Sequence, residues 1–379
     1  MKTIGIMSMQ RIYNYGSSLQ GYALRKLIGE IDSSAKVFYL DYRPGTPLIN
    51  SNEHQSRTKG RLHRTFEKLF EYGKTRSSLT DKIRFFNHKR HYEKKYFPLV
   101  GINTGVSDTT EVDVQVIGSD EVFNCVQDNV NVGYSRDLFG HNSSAKRLIS
   151  YAGSFGNTTI EKIETHKIRD DLAHDFLKFH AVSVRDLNSQ EIVQELTGTK
   201  PDIHLDPTLV YGLMQDPCIP SSRQRQEKYI IVYGYSGRFT DTENHHIRQY
   251  ASSIGAKILA FGGLQGCADE FVDCDPFTLL AYFRDAEAVV TDTFHGSIFA
   301  IINEVPFATV IRKSHGTGYG NSEKLGYLLN VLGLEIRALN RPEMLANLMQ
   351  TAIDFGPVRA VRDEQRARTL GYLRSAISS

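Results

Sequence analysis

The chain has 379 residues, of which 40% are hydrophobic and 23% charged, with 30 Gly, 11 Pro and no Trp. That length favours two domains, and the composition excludes disordered, collagen-like and low-complexity chains. The formal net charge is only +2, but positions 51–100 carry 13 Lys and Arg against 5 Asp and Glu, so a basic segment (+8) lies in a mildly acidic remainder (−6).

The first predicted domain, at 1–210, opens with a βαβ unit. Apolar TIGIM leads through a polar loop into the helical run SLQGYALRKLIGEI and then into KVFYLDY. A basic helical insert at about 51–100 follows. The alternation then resumes with VDVQVIGS, RLISYAGSF, a helix from about Glu161 to Phe179, AVSVRD, a helix from Asn188 to Leu196, and DIHLDP. Strands separated by helices predict a mostly parallel sheet.

A second domain is predicted at 227–340. Three prolines and the polar run PSSRQRQE precede it, which is typical of a domain boundary. Its elements are KYIIVYGY, a helix from Glu243 to Ile254, KILAFG, PFTLLAYFRDA, EAVVTD, GSIFAIINE, FATVIRK and EKLGYLLNVLG. Two final helices, within 341–379, are expected to pack back on the first domain. The predicted fold class is therefore α/β, with two Rossmann-like doubly wound domains that face each other across a cleft.

The sequence predicts a cytoplasmic protein. The opening MKTIGIMSM runs into a strand without the apolar region of a secretory signal, and the most apolar run, FAIINEVPFATVI, is too interrupted to span a membrane. Its four cysteines are too few for a disulfide framework and lack the spacing of a zinc knuckle. We therefore expect a reducing compartment and no metal site.

Site candidates are the polar residues that directly follow predicted strands, because ligands bind outside the carboxyl ends of parallel strands. This rule selects the stretches 14–20, 118–124 and 154–157, then Arg185, Asp186 and Asp206, the TDTFHG run at 291–296, and 312–321.

The TDTFHG run is the most informative of these, since it carries a buried strand into a helix. It places His295 at a helix start, where the helix dipole disfavours the imidazolium form and suits a group that accepts and returns a proton. Gly296 lets a ligand approach the backbone, and the first amides of the helix point toward an anion. The alternative is that His295 only caps the helix or bonds a core carbonyl.

Two arginines follow strands in the same way. Arg185 ends an apolar strand, where its guanidinium fork matches a carboxylate or phosphate; the alternative is a salt bridge with Asp186 or Asp206. Arg312 and Lys313 lead into the Gly-rich GTGYGNS, which is either a phosphate loop or a turn before a helix.

The basic segment allows several interpretations. Its aromatic residues fall at core-like helical spacing, which disfavours a nucleic-acid platform, so we expect no nucleic-acid partner. It is either a solvated insert or a contact with an anionic bilayer surface. Dinucleotide, zinc-protease and serine-hydrolase motifs (GxGxxG after the first strand, HExxH and GxSxG) do not occur.

The chain contains, in this order, the segments IGIMSMQRIYNYGSSLQGYALRKLI, VIGSDEVFN, LISYAGSFG, VSVRDLNSQEIV, HLDPTLV, VTDTFHGSIFAIINEVPF and NSEKLGYLLNVLGL. This ordered set, at about positions 4–334, resembles the polysaccharide pyruvyl transferase family. The resemblance implies a GT-B-like fold and transfer of a pyruvyl group from phosphoenolpyruvate to a sugar, usually as a cyclic ketal. The chain departs from the family pattern at Glu121 and Phe123, where many members have Gln and Trp, and at Thr293, where Ser is common.

The resemblance also implies roles for residues. The family's essential arginine in SVR corresponds to Arg185, and its histidine in FHG to His295. The residues expected to bind the donor are Arg185, Thr293, Phe294, His295, Gly296, Arg312 and Lys313. All of them except Arg185 belong to the second predicted domain. Those expected on the acceptor side are Asn14, Tyr15, Gly16, Gln20, Asp120 and Asn124. Phosphoenolpyruvate is the expected donor substrate, with no cofactor.

The expected acceptor is a sugar of a surface polysaccharide such as a capsule or exopolysaccharide, or a lipid-linked precursor at the inner face of the membrane. Two alternatives remain. One keeps the fold but makes the protein a nucleotide-sugar glycosyltransferase, with the Gly-rich loop holding a diphosphate. The other is a non-catalytic scaffold for polysaccharide assembly.

Overall fold

A computed structural model of the chain describes residues 1–49, 75–103, 111–312 and 322–378. The chain divides into two compact units. Unit 1 comprises Met1–Ser51, Tyr96–Gly212 and Ala360–Ser379, and unit 2 comprises Asn52–Lys95 and Leu213–Arg359.

Strands and helices alternate along the described chain. The strands are β1 Thr3–Met7, β2 Lys36–Tyr39, β3 Val114–Asp120, β4 Arg147–Gly153, β5 Ser183–Val184, β6 Asp202–Ile203, β7 Tyr229–Tyr233, β8 Lys257–Phe261, β9 Glu270–Phe271, β10 Ala288–Thr291, β11 Phe307–Val310 and β12 Ala338–Leu339. The helices are α1 Tyr15–Ile31, α2 Leu79–Tyr96, α3 Ile160–Thr165, α4 Arg169–Phe176, α5 Leu187–Thr197, α6 Pro207–Val210, α7 Asp241–Ser253, α8 Pro276–Asp285, α9 Phe294–Ile302, α10 Ser322–Val331, α11 Leu345–Gln350 and α12 Phe355–Ser378. Short 3-10 helices lie at Pro98–Val100, Arg136–Phe139, Leu213–Gln215, Glu335–Arg337 and Pro342–Met344.

Each unit is built on a parallel sheet of six strands. The strand order is β2-β1-β3-β4-β5-β6 in unit 1 and β12-β11-β10-β7-β8-β9 in unit 2. In unit 2 the central strands β7 and β10 are buried along their whole length and mostly apolar, as expected of a parallel sheet that helices cover on both faces. The predicted α/β class with two Rossmann-like units is confirmed.

Local sequence explains where α1 begins and which side it buries. Asn14 caps the helix by accepting the N–H of Gly16 at 2.7 Å. Leu19, Ala23 and Leu27, spaced by four, are fully buried. The helix therefore starts at the carboxyl end of β1 and presents its first turn there.

Some predicted elements differ from the observed ones. The predicted helix from Glu161 to Phe179 is two helices, α3 and α4, which are separated where Lys167 adopts a left-handed φ of +55°. The edge strands β9 and β12 have two residues each, too few for a periodic pattern to predict them.

Helix α2 belongs to unit 2, although the sequence placed the basic insert at 51–100 with the first domain. Asp81 accepts the backbone N–H of Phe271 at 3.0 Å, so the helix lies along the edge strand β9. The Nδ1 atom of His88 lies 2.6 Å from Asp273, and Phe85 packs on Phe271 with ring centroids 5.2 Å apart. The part of the predicted insert at 51–74 lies outside the described residues.

Helix α12 packs along unit 1 from Ala360 onward. Arg362 and Arg366 donate to the carbonyls of Leu209 and Val210, and Tyr372 donates to the carbonyl of Ser150 at 2.6 Å. Each unit thus includes a helix that is distant from it in sequence: α12 in unit 1 and α2 in unit 2. Within the part of the chain that the structure describes, no helix is long and apolar enough to cross a lipid bilayer.

Candidate functional site

In unit 1 the loop after β1 and the first turn of α1 form one polar region. Asn14 is half-buried at the helix start, whereas Tyr15 and Gly16 are buried. Of these three predicted acceptor residues, only Asn14 therefore offers part of its side chain to a ligand, and Tyr15 and Gly16 shape the turn behind it.

Gln20 lies in a buried network that ties α1 to β1 and β3. Its amide nitrogen donates to Ser8 Oγ at 2.7 Å and to the carbonyl of Ser17 at 3.1 Å, while its amide oxygen accepts from Ser119 Oγ at 2.7 Å. Gln20 is completely buried, and both ends of its amide are used. The predicted contact between Gln20 and the acceptor is not available in this structure, and Gln20 instead fixes the strand ends.

Asp120 is the last residue of β3 and is partly exposed. Its φ of +77° is a left-handed conformation that non-glycine residues rarely adopt and that is enriched at functional sites. Its Oδ2 atom accepts from Ser17 Oγ at 2.9 Å, and its Oδ1 atom lies 3.5 Å from Arg185 Nη2. The carboxylate is thus held at the strand ends from two sides.

Arg185 is paired inside unit 1. Only 2% of its side chain is exposed, and its Nη1 atom donates to Asp206 Oδ2 at 3.0 Å, while Nη2 lies near Asp120. Burial by itself lowers the pKa of the guanidinium, but the charges of Asp120 and Asp206 raise it overall, so the group stays protonated. The salt bridge with Asp206, one of the two alternatives, is observed, and Asp120 is a further carboxylate beside the guanidinium.

The side chain of Asn124 is also engaged on both sides. Its Nδ2 atom donates to Glu121 at 2.9 Å, and its Oδ1 atom accepts from Thr158 Oγ1 at 2.8 Å. Asn124 is mostly buried. Its observed contacts hold the loop after β3.

In unit 2 the TDTFHG run forms the start of α9. Thr293 caps the helix by accepting the N–H of Gly296 at 3.0 Å, and Thr291 Oγ1 donates to the carbonyl of Tyr233 at 2.7 Å. His295 therefore lies in the first turn, next to the carboxyl ends of β10 and β7, as predicted from the sequence. Its ring lies against Phe294 and Phe299, with centroids 5.5 and 6.1 Å away.

Gly296 is required by close packing. A Cβ atom there would lie 2.2 Å from Thr291 Oγ1 and 2.7 Å from Tyr233 Cδ1. We expect Gly296→Ala to destabilise unit 2 by about 1–3 kcal/mol, measured by urea denaturation, because the β10–α9 junction must move. Gly326→Ala, in α10, has open space around it and is the matched control, expected to be neutral or stabilising. Equal stability of the two variants would contradict this packing.

Arg312 is held by two acidic residues of unit 2. Its Nε atom donates to Asp292 at 3.1 Å, and its two Nη atoms contact the carboxylate of Glu243 at 3.2 and 3.1 Å. Burial raises the pKa of Asp292, and the nearby Arg238 and Arg312 offset part of that rise. Arg312 thus reaches the carboxyl end of β11 as predicted, but its fork is occupied by carboxylates. Lys313 lies outside the described residues.

Arg238 was missed by the sequence reasoning. It follows β7 in the GYSGR loop, its guanidinium carbon lies 4.3 Å from the ring centroid of Tyr235, and its Nη1 atom lies 3.9 Å from Asp292. Extending the strand-end rule to residues 234–238 would have found it. Among the described residues, no group of three or more His, Cys, Asp or Glu side chains is arranged to hold a metal ion.

The fold and these residues define a class of protein. Two Rossmann-like units, each with charged and polar side chains at the carboxyl ends of its strands, are the organisation of a GT-B-like protein. The family model for "Polysaccharide pyruvyl transferase" matches residues 14–314. The chain therefore belongs to the polysaccharide pyruvyl transferase family. No curated protein matches the chain significantly.

The chain is also similar to solved structures from which it differs widely in sequence. A UDP-N-acetylglucosamine 2-epimerase is 8% identical with a TM-score of 0.50, over 98% of this chain and 94% of that one. The UDP-GlcNAc 2-epimerase of Neisseria meningitidis, bound to UDP-GlcNAc, is 8% identical with a TM-score of 0.43, over 98% and 100%. An O-GlcNAc transferase mutant of Thermobaculum terrenum is 14% identical with a TM-score of 0.38; the match covers 98% of this chain but only 64% of that chain.

Proposed function

We propose that this protein transfers the pyruvyl group of phosphoenolpyruvate to two hydroxyls of a sugar and so forms a cyclic ketal. The sugar belongs to a surface polysaccharide or to its lipid-linked precursor. Membership of the polysaccharide pyruvyl transferase family supports the class of reaction. The observation that carries the proposal is His295, in the first turn of a helix that starts where the central strand β10 ends.

The reaction balances because the two sugar hydroxyls release two protons, which are taken up by the methylene carbon of the donor and by the departing phosphate. A proton adds to the methylene carbon of the donor, and the first sugar hydroxyl attacks the neighbouring carbon and gives up its own proton. The bond to the phosphate oxygen then breaks, and the second hydroxyl attacks the resulting oxocarbenium-like carbon. One hydroxyl proton thus replaces the proton given to the methylene carbon, and the other leaves with the phosphate. An imidazole that alternates between base and acid suits both transfers.

The proposed donor residues lie in unit 2. His295 moves the proton, and the amides in the first turn of α9 face the donor's anionic groups. Arg312 is bonded to Asp292 and Glu243, so it is proposed to position these two carboxylates at the strand ends. Arg238, which lies near Asp292, contributes positive charge there. Lys313 remains a proposed donor contact on the basis of the sequence.

The proposed acceptor residues lie in unit 1. Asp120 accepts a hydrogen bond from the sugar hydroxyl, and Asn14 contacts the sugar beside it. Arg185, which is almost fully buried, holds Asp120 in place and does not itself clamp the donor. This role is proposed in place of the direct contact that the family resemblance implied.

We also propose that the reaction needs no resident cofactor, because arginines and helix amides offset the charges of the donor. Phosphate release should then be insensitive to a chelator. The proposed location is cytoplasmic, with peripheral contact at the inner face of the membrane, where a lipid-linked acceptor would be available.

The proposal is tested by phosphate release from phosphoenolpyruvate in the presence of a lipid-linked galactose- or N-acetylmannosamine-type acceptor. His295→Gln should lower kcat by about a hundredfold, equivalent to about 2.7 kcal/mol, because the proton transfers lose their carrier. The matched control is His245→Gln, which changes an exposed histidine of α7 in the same unit and should keep the wild-type rate.

Thermal-shift titration distinguishes the alternatives. Stabilisation by phosphoenolpyruvate in both wild type and His295→Gln supports the proposed donor. Stabilisation by UDP-sugars with no response to phosphoenolpyruvate would favour a glycosyltransferase. Failure of every anionic donor to bind would favour a scaffold, and an unchanged kcat in His295→Gln would remove that residue from the mechanism.

A further inference from the structure

Helix α2 presents a stripe of exposed residues along one face. Leu79, Ile83, Asn87, Arg90 and Lys94 are spaced by four, four, three and four residues, so they lie on the same side of the helix. All five are exposed, and the two large apolar side chains are unusually so, at 78% for Leu79 and 62% for Ile83. Side chains of that type are normally buried at such helical spacing.

The opposite face of α2 fixes its orientation. Asp81, Phe85, His88 and Tyr92 are buried in unit 2. The carboxylate of Asp81 is bonded to the edge strand β9, and His88 is bonded to Asp273. The helix therefore cannot turn its exposed stripe inward without breaking these contacts.

The charged side chains that α2 exposes are all positive. They include Arg84, Arg90, Lys94 and Lys95, and no carboxylate of this helix is fully exposed. Arg84 and Lys95 are partly neutralised by Glu270 at 3.2 Å and Asp273 at 3.8 Å. Within the described residues, Arg90 and Lys94 take part in no ion pair. Two exposed cations thus follow two exposed aliphatic side chains on one stripe.

We propose that this stripe is a docking surface for an anionic lipid bilayer. Aliphatic side chains enter the boundary between headgroups and acyl chains, while the cations meet anionic headgroups. Leucine and isoleucine side chains favour a membrane over nucleic acid, which is bound through cations and stacking aromatic rings. The inference rests on the proposed function in one respect only, since a lipid-linked acceptor explains why the protein would dock there.

The full-length protein is tested by co-sedimentation with vesicles of phosphatidylcholine containing about 30 mol% phosphatidylglycerol, and with pure phosphatidylcholine vesicles. We expect binding to the anionic vesicles that weakens when salt is raised from about 0.1 M to about 0.5 M. R90E/K94E should weaken it by at least about tenfold, because each basic residue near the surface contributes. L79S/I83S should also weaken it.

The control variant is K200E/K228E, which makes the same charge change at two exposed positions that are not part of α2 and should bind within about twofold of wild type. Three results would each overturn the proposal. The wild-type protein could fail to bind anionic vesicles, R90E/K94E could bind them as well as wild type, or the protein could bind an oligonucleotide in a charge-dependent way and not the vesicles. Phosphate release with a lipid-free acceptor tests the reaction separately, since the α2 variants should keep that rate. If the wild-type protein releases phosphate but does not bind vesicles, the docking proposal fails and the proposed reaction stands. If it binds vesicles but releases no phosphate, the proposed reaction fails and the docking proposal stands.

Discussion

Replacing Asp206 with asparagine is expected to destabilise unit 1 by about 3–5 kcal/mol. Asp206 is buried and accepts from Arg185 Nη1 at 3.0 Å, and Arg185 itself is 2% exposed. Without the carboxylate, a buried guanidinium loses its closest counter-charge. The substitution is otherwise conservative, because an asparagine oxygen can still accept the N–H of Thr208 and cap α6. Urea denaturation of the two proteins measures the difference.

Asp202→Asn is the matched control on the neighbouring strand β6. Asp202 pairs with Arg368 at 3.1 Å, but its side chain is 61% exposed, so the loss should be about 1 kcal/mol or less. Adding Arg185→Gln to Asp206→Asn should recover part of the stability, since the unpaired charge is then gone. If Asp206→Asn costs no more than Asp202→Asn, the buried pair does not hold unit 1 together.

Local signals in the sequence indicate where α1 and α9 begin. Asn14 and Thr293 each stand between a strand and a helix, and both are observed as helix caps. A cap depends on residues within three positions along the chain, so a single sequence contains the information. The same reasoning placed His295 correctly in the first turn of α9.

Contacts between distant parts of the chain were predicted less completely: Asp206 was named as one possible partner of Arg185, but Asp120 was not, and the buried network of Gln20 was not expected. Arg185 is bonded to residues 21 and 65 positions away, and Gln20 to one 99 positions away. Periodicity identifies a buried face but not the element that covers it. For this reason the sequence placed α2 with the first domain, whereas the helix belongs to unit 2. In the same way Gln20 was expected to face a ligand, whereas its side chain holds the ends of two strands together.

Acidification is expected to remove about 3 kcal/mol of stability through His204 alone, between about pH 7 and pH 4. His204 is 1% exposed, and burial, with a smaller contribution from the charge of Arg368, lowers its pKa from 6.5 to about 4. Its ring lies 4.6 Å from that of Tyr372 on α12 and 5.9 Å from that of Tyr151. Within the described residues, neither ring nitrogen has a hydrogen-bond partner.

The sign of the effect follows from proton uptake. An unfolded chain protonates His204 as the pH falls through 6.5, whereas the folded chain does so only near pH 4. The unfolded state therefore binds more protons in this interval, and the free energy of unfolding falls as the pH falls. His204→Phe, which fills the aromatic cluster but cannot be protonated, should lose about 3 kcal/mol less than wild type over the same range, measured by urea denaturation at each pH.

Carboxylates with lowered pKa values, such as Asp175, also lose stability in acid, but they do so equally in both proteins and cancel in the difference. Tyr372→Phe is the matched control in the same cluster. It removes the hydrogen bond to Ser150, so it should lower stability by about 1 kcal/mol at every pH and keep the wild-type slope. The free energy of unfolding of His204→Phe could instead depend on pH just as that of wild type does. In that case His204 takes up its proton in the folded protein, and α12 does not shield the imidazole from water.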